Sequence, residues 1–432
     1  MAEPGDRLLA AWCGLTRLAA PVGRLIVALR RRAGREHPLR WSERLGIQGE
    51  MPPGPRRPVV WVHAASVGET MAVLPLVARI AETGVRVVFT TVTVTSADVA
   101  AVRLPAGVVH RFVPVDVAPF VDRFLDAWAP RLAVFVESEM WPVAIARLHD
   151  RGVPLVVANA RMSDRSFRRW RRVRPVIAAM LSRVTLVLAQ SPLDTERFAA
   201  LGAPRVETAG NVKFDAPPPE APRAAAAALA AAVEGRPVLL AASTHPGEDE
   251  IVLAAFARLR ARVPDLLLVI APRHPVRGAE IAALAADLGL AVGQRSTGAL
   301  PRPETAVYVA DTVGELGTFY RLATVAFVGG SLVDVGGHNP IEAGRFDAAV
   351  VAGPQLWNFR DVYAALVEAG GAVLVEGEDD LVDAVERLVL HVGERGRRIA
   401  AARAVVDGYT GALDRTLAAL RPFLAAAGEG GP

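Results

Sequence analysis

Cysteine is almost missing from these 432 residues: Cys13 stands alone. An internal disulfide framework and a cysteine-based zinc site are both excluded, and a reducing cytosol is the matching compartment. Lysine is as scarce, since Lys213 is the one lysine among 49 basic side chains. Asparagine occurs only at 159, 211, 339 and 358, so the composition carries the stamp of a GC-rich coding bias. A lysine that survives such a bias is either chance or a place where a compact ammonium is wanted instead of a planar fork. Net charge is only +4, weak grounds for a nucleic-acid partner, and none is expected. What is present is ordinary for a folded protein: 52% hydrophobic and 22% charged residues rule out wholesale disorder. The length allows two or three domains, each with its own core.

Residues 8–29 are largely apolar, 22 positions that are long enough to cross a bilayer. Arg17 and Arg24 interrupt them, each at a cost of about 2.5–3.5 kcal/mol near the centre of a span. With Arg31 they recur every seven residues along one stripe of a helix, opposite an apolar side of Leu8, Leu15, Leu18, Leu25 and Leu29. The pattern predicts one membrane-associating helix lying on the lipid surface, with Arg30, Arg31 and Arg32 toward anionic headgroups. A true span and a docked soluble helix stay open as alternatives. The acidic start over 1–6 argues against a signal peptide, and Trp12 before Cys13 spoils lipoprotein processing, which leaves the body cytoplasmic.

After the Pro-rich stretch 52–58, short β-branched runs alternate with Ala/Leu/Arg helices. Residues 59–62, 85–91, 132–136, 155–158 and 186–189 read as buried strands. The pattern pauses at the stiff linker 216–222 and restarts at 238–242, 266–270, 307–309, 325–328, 348–351 and 373–375. This alternation predicts an α/β protein of two facing Rossmann-like domains, each on a parallel sheet, with a cleft between them. The expected division is an N-terminal helix over 1–35, a first domain over 36–215, linker and helix over 216–235, a second domain over 236–405, and a last helix and tail over 406–432. The last helical stretch, 381–424, breaks near Gly408, and the sequence does not say which half it packs on.

Ligands of such sheets gather beyond the carboxyl ends of the strands, so the residues just after each strand carry the chemistry. The first strand runs into His63-Ala64-Ala65-Ser66-Val67-Gly68-Glu69-Thr70 and then a helix. This loop lacks both the dinucleotide fingerprint and the P-loop Gly-Lys-Ser/Thr. It offers Glu69, either a general base for an acceptor hydroxyl or merely a charge that suits a helix start. Glu137 and Glu139 follow the strand 132–136, where they bind, orient or repel into raised pKa values, or where Glu139 only caps a helix ahead of Trp141-Pro142. Asn159 and Arg161 follow the next strand. Six arginines between 165 and 174, interleaved with Phe167 and Trp170, suit an anionic lipid headgroup better than RNA beside a membrane-lying helix.

In the second half, Ser243-Thr244-His245 opens toward a helix whose backbone N–H groups are expected to receive a phosphate, and Arg273-His274 adds a cation. Gly329-Gly330-Ser331 continues to Gly337-His338-Asn339-Pro340-Ile341-Glu342. Glycines let a backbone approach a ligand, a helix starting at Pro340 offers donors, and Glu342 can accept two ribose hydroxyls. A nucleotide is expected there.

The segments WVHAASVGET (61–70), ESEMWP (137–142), NARMS (159–163), GNVKFD (210–215), ASTHPGE (242–248), APRHP (271–275) and FVGGSLVDVGGHNPIEA (327–343) resemble, in order and spacing, the bacterial 3-deoxy-D-manno-octulosonic acid (Kdo) transferases of lipopolysaccharide synthesis. The resemblance implies the GT-B glycosyltransferase fold, CMP-Kdo as donor, a lipid A precursor as acceptor, inversion at the anomeric carbon, and action at the cytoplasmic face of the inner membrane. It implies Glu69 as general base with Glu137 and Glu139 in the catalytic set, and Ser66, Gly68, Asn159, Arg161 and Lys213 around substrate. Around CMP it implies Ser243, Arg273, Gly330, Ser331, Asn339 and Glu342, beside which Thr244, His274 and His338 fall in the same segments. Asp334 stands where the family pattern has Pro, and Ala343-Gly344 where it has Pro-Ala. No Asp-x-Asp motif stands where a metal site belongs, so no cofactor and no obligatory metal are expected. Two rivals stay in view: another nucleotide-sugar transferase or epimerase on the same frame, and an idle lipid-binding scaffold.

Overall fold

Val, Leu, Ile and Phe fill the central strands without polar alternation, as strands covered by helices on both faces require. The computed structural model describes residues 4–49, 57–216 and 218–429; residues 1–3 of the acidic start, most of the Pro-rich stretch and Pro217 of the linker lie outside them. The chain divides into two units, 1–216 with 410–432, and 217–409.

The first unit holds β1 (Val59–His63), β2 (Arg86–Thr91), β3 (Val109–Phe112), β4 (Leu132–Val136), β5 (Leu155–Ala160), β6 (Leu186–Ala189) and β7 (Val206–Thr208) in the order β3-β2-β1-β4-β5-β6-β7. Every neighbouring pair is parallel. The second holds β8 (Val238–Thr244), β9 (Leu267–Pro272), β10 (Val292–Gln294), β11 (Val307–Val309), β12 (Val325–Val328), β13 (Ala349–Ala352) and β14 (Ala372–Leu374), again all parallel, in the order β10-β11-β9-β8-β12-β13-β14. The expected Rossmann-like sheets are thus present. β3, β7 and β10 escape the sequence reading because each is a sheet edge, short and only partly covered, so no continuous apolar run marks it. The order in which strands are added across each sheet reverses between β1 and β4 in one unit and between β8 and β12 in the other. Those switch points are where ligands of doubly wound sheets bind.

The N-terminus is two helices rather than the one expected, Pro4–Leu18 and Ala20–Arg32, bent by 62°. Pro21 supplies the reason: it has no N–H to continue the helix and its ring crowds the carbonyl of Arg17. The pair is built into the first unit. Leu9 and Cys13 are buried in its core, and a Cβ on Gly5 would lie 2.0 Å from the Pro175 carbonyl oxygen. Leu8, Trp12, Leu15, Leu18, Leu25 and Leu29 face outward on the other side. The regular arginine stripe is broken up, since Arg17 reaches Asp122 at 3.8 Å and Arg31 lies over the Trp41 ring. No single helix among the described residues is long and apolar enough to cross a membrane.

The last helix, Ala412–Glu429, returns to the first unit and packs on the helix Val67–Ala81. Its start is held by Asp215, whose carboxylate accepts from Gly411 N at 2.6 Å and from Leu413 N. The break falls at Thr410-Gly411, where Gly411 takes φ 80°.

Candidate active site

In the first unit the helix Val67–Ala81 starts at the end of β1, and Ser66 caps it by accepting from Glu69 N at 3.2 Å. The Glu69 carboxylate closes the loop: Oε2 accepts from Ala65 N and Oε1 from the Ser66 hydroxyl, both at 2.8 Å. Glu69 thus braces the helix start through the residue before the cap and the cap hydroxyl, a variant of the capping box, so the structural reading of Glu69 is real. Each oxygen keeps a further lone pair, and the side chain is only partly covered. Burial pushes the Glu69 carboxyl above its ordinary range; the Ala65 N–H and Ser66 hydroxyl pull it back, and negative charge on Glu139 and Glu137 adds to the rise.

Glu137 and Asn159 directly follow β4 or end β5 with φ of 61° and 53°, and Ser243 at the end of β8 has φ 59°. These are three of the four non-glycine residues in the left-handed region among the described residues, and all three sit at strand ends. Glu137 Oε1 meets Lys213 Nζ at 2.6 Å. The lone lysine is therefore paired within the first unit. Asn159 is fully buried and its Oδ1 accepts from Val212 N at 3.1 Å, which braces the Lys213 segment. Arg161 and Gly68 are exposed.

Glu139 accepts from Trp141 Nε1 at 2.8 Å and approaches His63 Nε2 at 3.6 Å. His63 is wholly buried, with Nδ1 2.9 Å from Thr90 Oγ1. The sequence reading quoted His63 without giving it a part. Its place as the last residue of the first strand, in the layer of Glu69 and Glu139, was the available signal.

In the second unit an open pocket of about 410 Å³ lies at the carboxyl ends of the strands. Ser243, Arg273, His338, Asn339 and Glu342 line it, five residues brought together from three separate segments. Arg273 is exposed and makes no ion pair among the described residues. Burial raises the Glu342 carboxyl, with the Asn339 hydrogen bond and the Arg345 and Arg273 charges opposing. His338 Nε2 lies 2.9 Å from His245 Nε2. Burial lowers His245, and burial with the neighbouring His245 and Arg273 lowers His338 to about 4. His274 is exposed, its ring 6.1 Å from that of His245.

Several expectations here are corrected. The glycine loop, expected to let its backbone approach a ligand, turns its N–H groups inward, because Gly330, Ser331 and Leu332 all donate to the buried Glu248. Just ahead of the helix Glu248–Leu259, Glu248 and Glu250 accept from His245 N and Gly247 N, and Glu248 N donates to His245 O, so part of the expected phosphate cradle is used within the chain. The Ser331 hydroxyl is buried between Val328 O at 2.6 Å and Gly353 N at 2.8 Å, and Thr244 is buried too, so neither faces the pocket. The helix at Pro340 is five residues long, and Asn339 already caps Ile341 N at 3.1 Å, which leaves little dipole to offer. Glu248 is the residue that sequence reasoning missed, because a buried glutamate and a helix-start glutamate look alike in a one-dimensional pattern.

Residues 39–216 match the family model "3-Deoxy-D-manno-octulosonic-acid transferase (kdotransferase)". A 3-deoxy-D-manno-octulosonic acid transferase of Haemophilus influenzae is 36% identical over 391 residues, 89% of this chain and 91% of its own. One of Bordetella pertussis is 36% identical over 404 residues, 91% of this chain and 94% of its own. Among solved structures, the UDP-GlcNAc 2-epimerase of Neisseria meningitidis has a TM-score of 0.58 at 12% identity, over 84% of this chain and 99% of that one. A glycosyltransferase of Rickettsia africae has a TM-score of 0.57 at 9% identity, over 87% and 100%. At such low identity these two speak for the fold alone, two Rossmann-like domains of the GT-B class. The full-length relatives say more, and on them the chain belongs to the Kdo transferase family and is a glycosyltransferase that transfers Kdo.

Proposed function

We propose that the chain moves Kdo from CMP-Kdo to a lipid A precursor of the lipid IVA type, in the inner core of lipopolysaccharide, with inversion and with Glu69 as the base. The observation that carries this reading is Glu69 itself, a carboxylate held by two donors at the switch point of the first unit with its proton affinity raised. An acceptor hydroxyl oxygen attacks the anomeric carbon of Kdo while its proton passes to a free lone pair of Glu69. The bond from that carbon to the CMP phosphate oxygen breaks, and its electron pair leaves with CMP. One displacement inverts the centre. In the second unit Arg273, unpaired among the described residues, is the cation suited to the leaving phosphate, and Glu342 suits the ribose hydroxyls. A single phosphate leaving group is matched by such a fixed cation, so no metal is needed in this reading. Transfer that persists in excess EDTA supports it, and loss restored by magnesium refutes it.

The lipid acceptor calls for a membrane surface. The outward leucines and Trp12 of the first two helices, near the helix Asp164–Arg172 with Arg165, Arg168, Arg169, Arg171 and Arg172 exposed, suit the cytoplasmic face of an anionic inner membrane. The deciding assay combines the protein, CMP-Kdo made in situ and a tetraacylated lipid A precursor, with products read by mass. Products heavier by whole Kdo units are expected; an unchanged acceptor refutes the acceptor assignment. CMP is expected to raise the melting temperature more than UDP, and the reverse order favours a UDP-sugar enzyme.

A further inference from the structure

Glu248 is fully buried, and no cation faces it among the described residues. Its carboxylate is satisfied by backbone alone, with two donors on each oxygen. Oε1 accepts from Ser331 N and Leu332 N, both at 2.9 Å, and Oε2 accepts from Gly330 N at 2.7 Å and His245 N at 3.0 Å. These donors come from two separate crossings of the switch point, the end of β8 and the loop after β12. A Cβ on Gly329 would lie 2.8 Å from the Ser243 carbonyl oxygen, which shows how tightly the two segments are drawn together.

The consequence reaches the pocket wall. His245, held at its N–H by Glu248, meets His338 through their ring nitrogens at 2.9 Å. The same loop binds His338 from its own side: His338 N donates to Gly329 O at 3.1 Å, and Gly337 N donates to Gly330 O at 2.6 Å. His338 and the adjacent Asn339 then line the pocket.

We propose that Glu248 is a positioning residue for the donor nucleotide: an internal anion that occupies the N–H cradle of the glycine loop and thereby sets the His245–His338 pair and Asn339 in binding geometry. The inference rests on reading this pocket as the CMP site. Glu248→Gln is the sharp test, because a carboxamide has one oxygen where four donors need two, and its amino group points a donor at donors. CMP affinity by calorimetry is expected to fall at least tenfold, and the donor KM to rise while the acceptor KM stays within twofold. Amide exchange at Gly330, Ser331 and Leu332 is expected to accelerate at least tenfold. Glu248→Asp keeps both oxygens on a shorter stem and recovers part of each loss. Leu388→Ala, a truncation in the core of the same unit, lowers the melting temperature and leaves CMP affinity within twofold. Should Glu248→Gln not fold, Glu248→Asp against Leu388→Ala makes the same comparison. Wild-type protein that binds no CMP overturns the pocket reading. Wild-type binding that the Glu248 variants match within twofold, or that Leu388→Ala weakens as much, overturns the role of Glu248.

Discussion

The two units share an architecture and differ in the chemistry at its one special place. Each is a seven-stranded parallel sheet with a switch point. In the first, that point carries Glu69, Glu137 and Glu139 against one lysine, which is already paired. In the second it carries Arg273, three histidines and the backbone-bound Glu248, with Glu342 as the pocket's carboxylate. The fold supplies the location in both cases; side chains alone give one end its carboxylates and the other its arginine and histidines. The comparison also separates two ways of placing a carboxylate. Glu69 accepts one donor per oxygen and stays partly open, whereas Glu248 accepts two per oxygen and is sealed. Only the first keeps an open lone pair on each oxygen.

The contrast breaks most easily at Glu69. Glu69→Gln is expected to lower Kdo turnover by at least about 10²-fold, the range for a general base, while CMP affinity by calorimetry stays near wild type. Near-normal turnover would remove Glu69 from the role. On the other side, Arg273→Ala is expected to weaken CMP binding by about 10-fold or more, as loss of a hydrogen bond to a charged group does, with little change in melting temperature. An unchanged CMP affinity would leave the second unit without its cation. The outward leucines of the two N-terminal helices belong to the first unit: Leu15→Asp with Leu25→Asp is expected to cut retention on anionic vesicles about tenfold in flotation, since two exposed leucines lose their burial in lipid. Retention at the wild-type level would assign the membrane contact elsewhere.

Smaller effects sharpen the picture. The pairing of Lys213 with Glu137 is partly exposed, 40% and 17%, so Lys213→Met is expected to change unfolding free energy by less than about 1 kcal/mol in a denaturant titration. The smallest shift concerns pH. A base works ionised, so the rate falls as pH drops through the Glu69 pKa. Burial raises that pKa first and the Glu139 charge adds to it, so Glu139→Gln removes a like charge and moves the acid limb of the rate profile to lower pH. A limb that stays or moves upward would show the two carboxylates to be uncoupled.

Much of this was legible from residue order. Buried strands announce themselves as β-branched runs, and β1, β4, β5, β6, β8 and β12 begin within a residue of where those runs do. The strand-end motifs placed Glu69, Arg273 and Glu342 at the correct ends of the sheets. Three of the four edge strands, β3, β7 and β10, were illegible because they are short and only partly covered, whereas the edge strand β14 was marked by its apolar run. The bend at Pro21 had a visible cause in the proline, which the regular spacing of leucine and arginine outweighed. The pairing of Lys213 with Glu137 joins residues 76 apart in the chain, beyond any local pattern.

Residue order by itself determined the α/β class, the restart after the linker and the set of polar side chains delivered to each strand end, because periodicity and chain punctuation are local properties. Only the tertiary structure decided which unit receives the last helix, and which donors Glu248, Asn159 and Ser331 satisfy. A buried N–H or carboxylate is paired with whatever the fold brings near it, and that neighbour is set by packing across the sheet, not by distance along the chain.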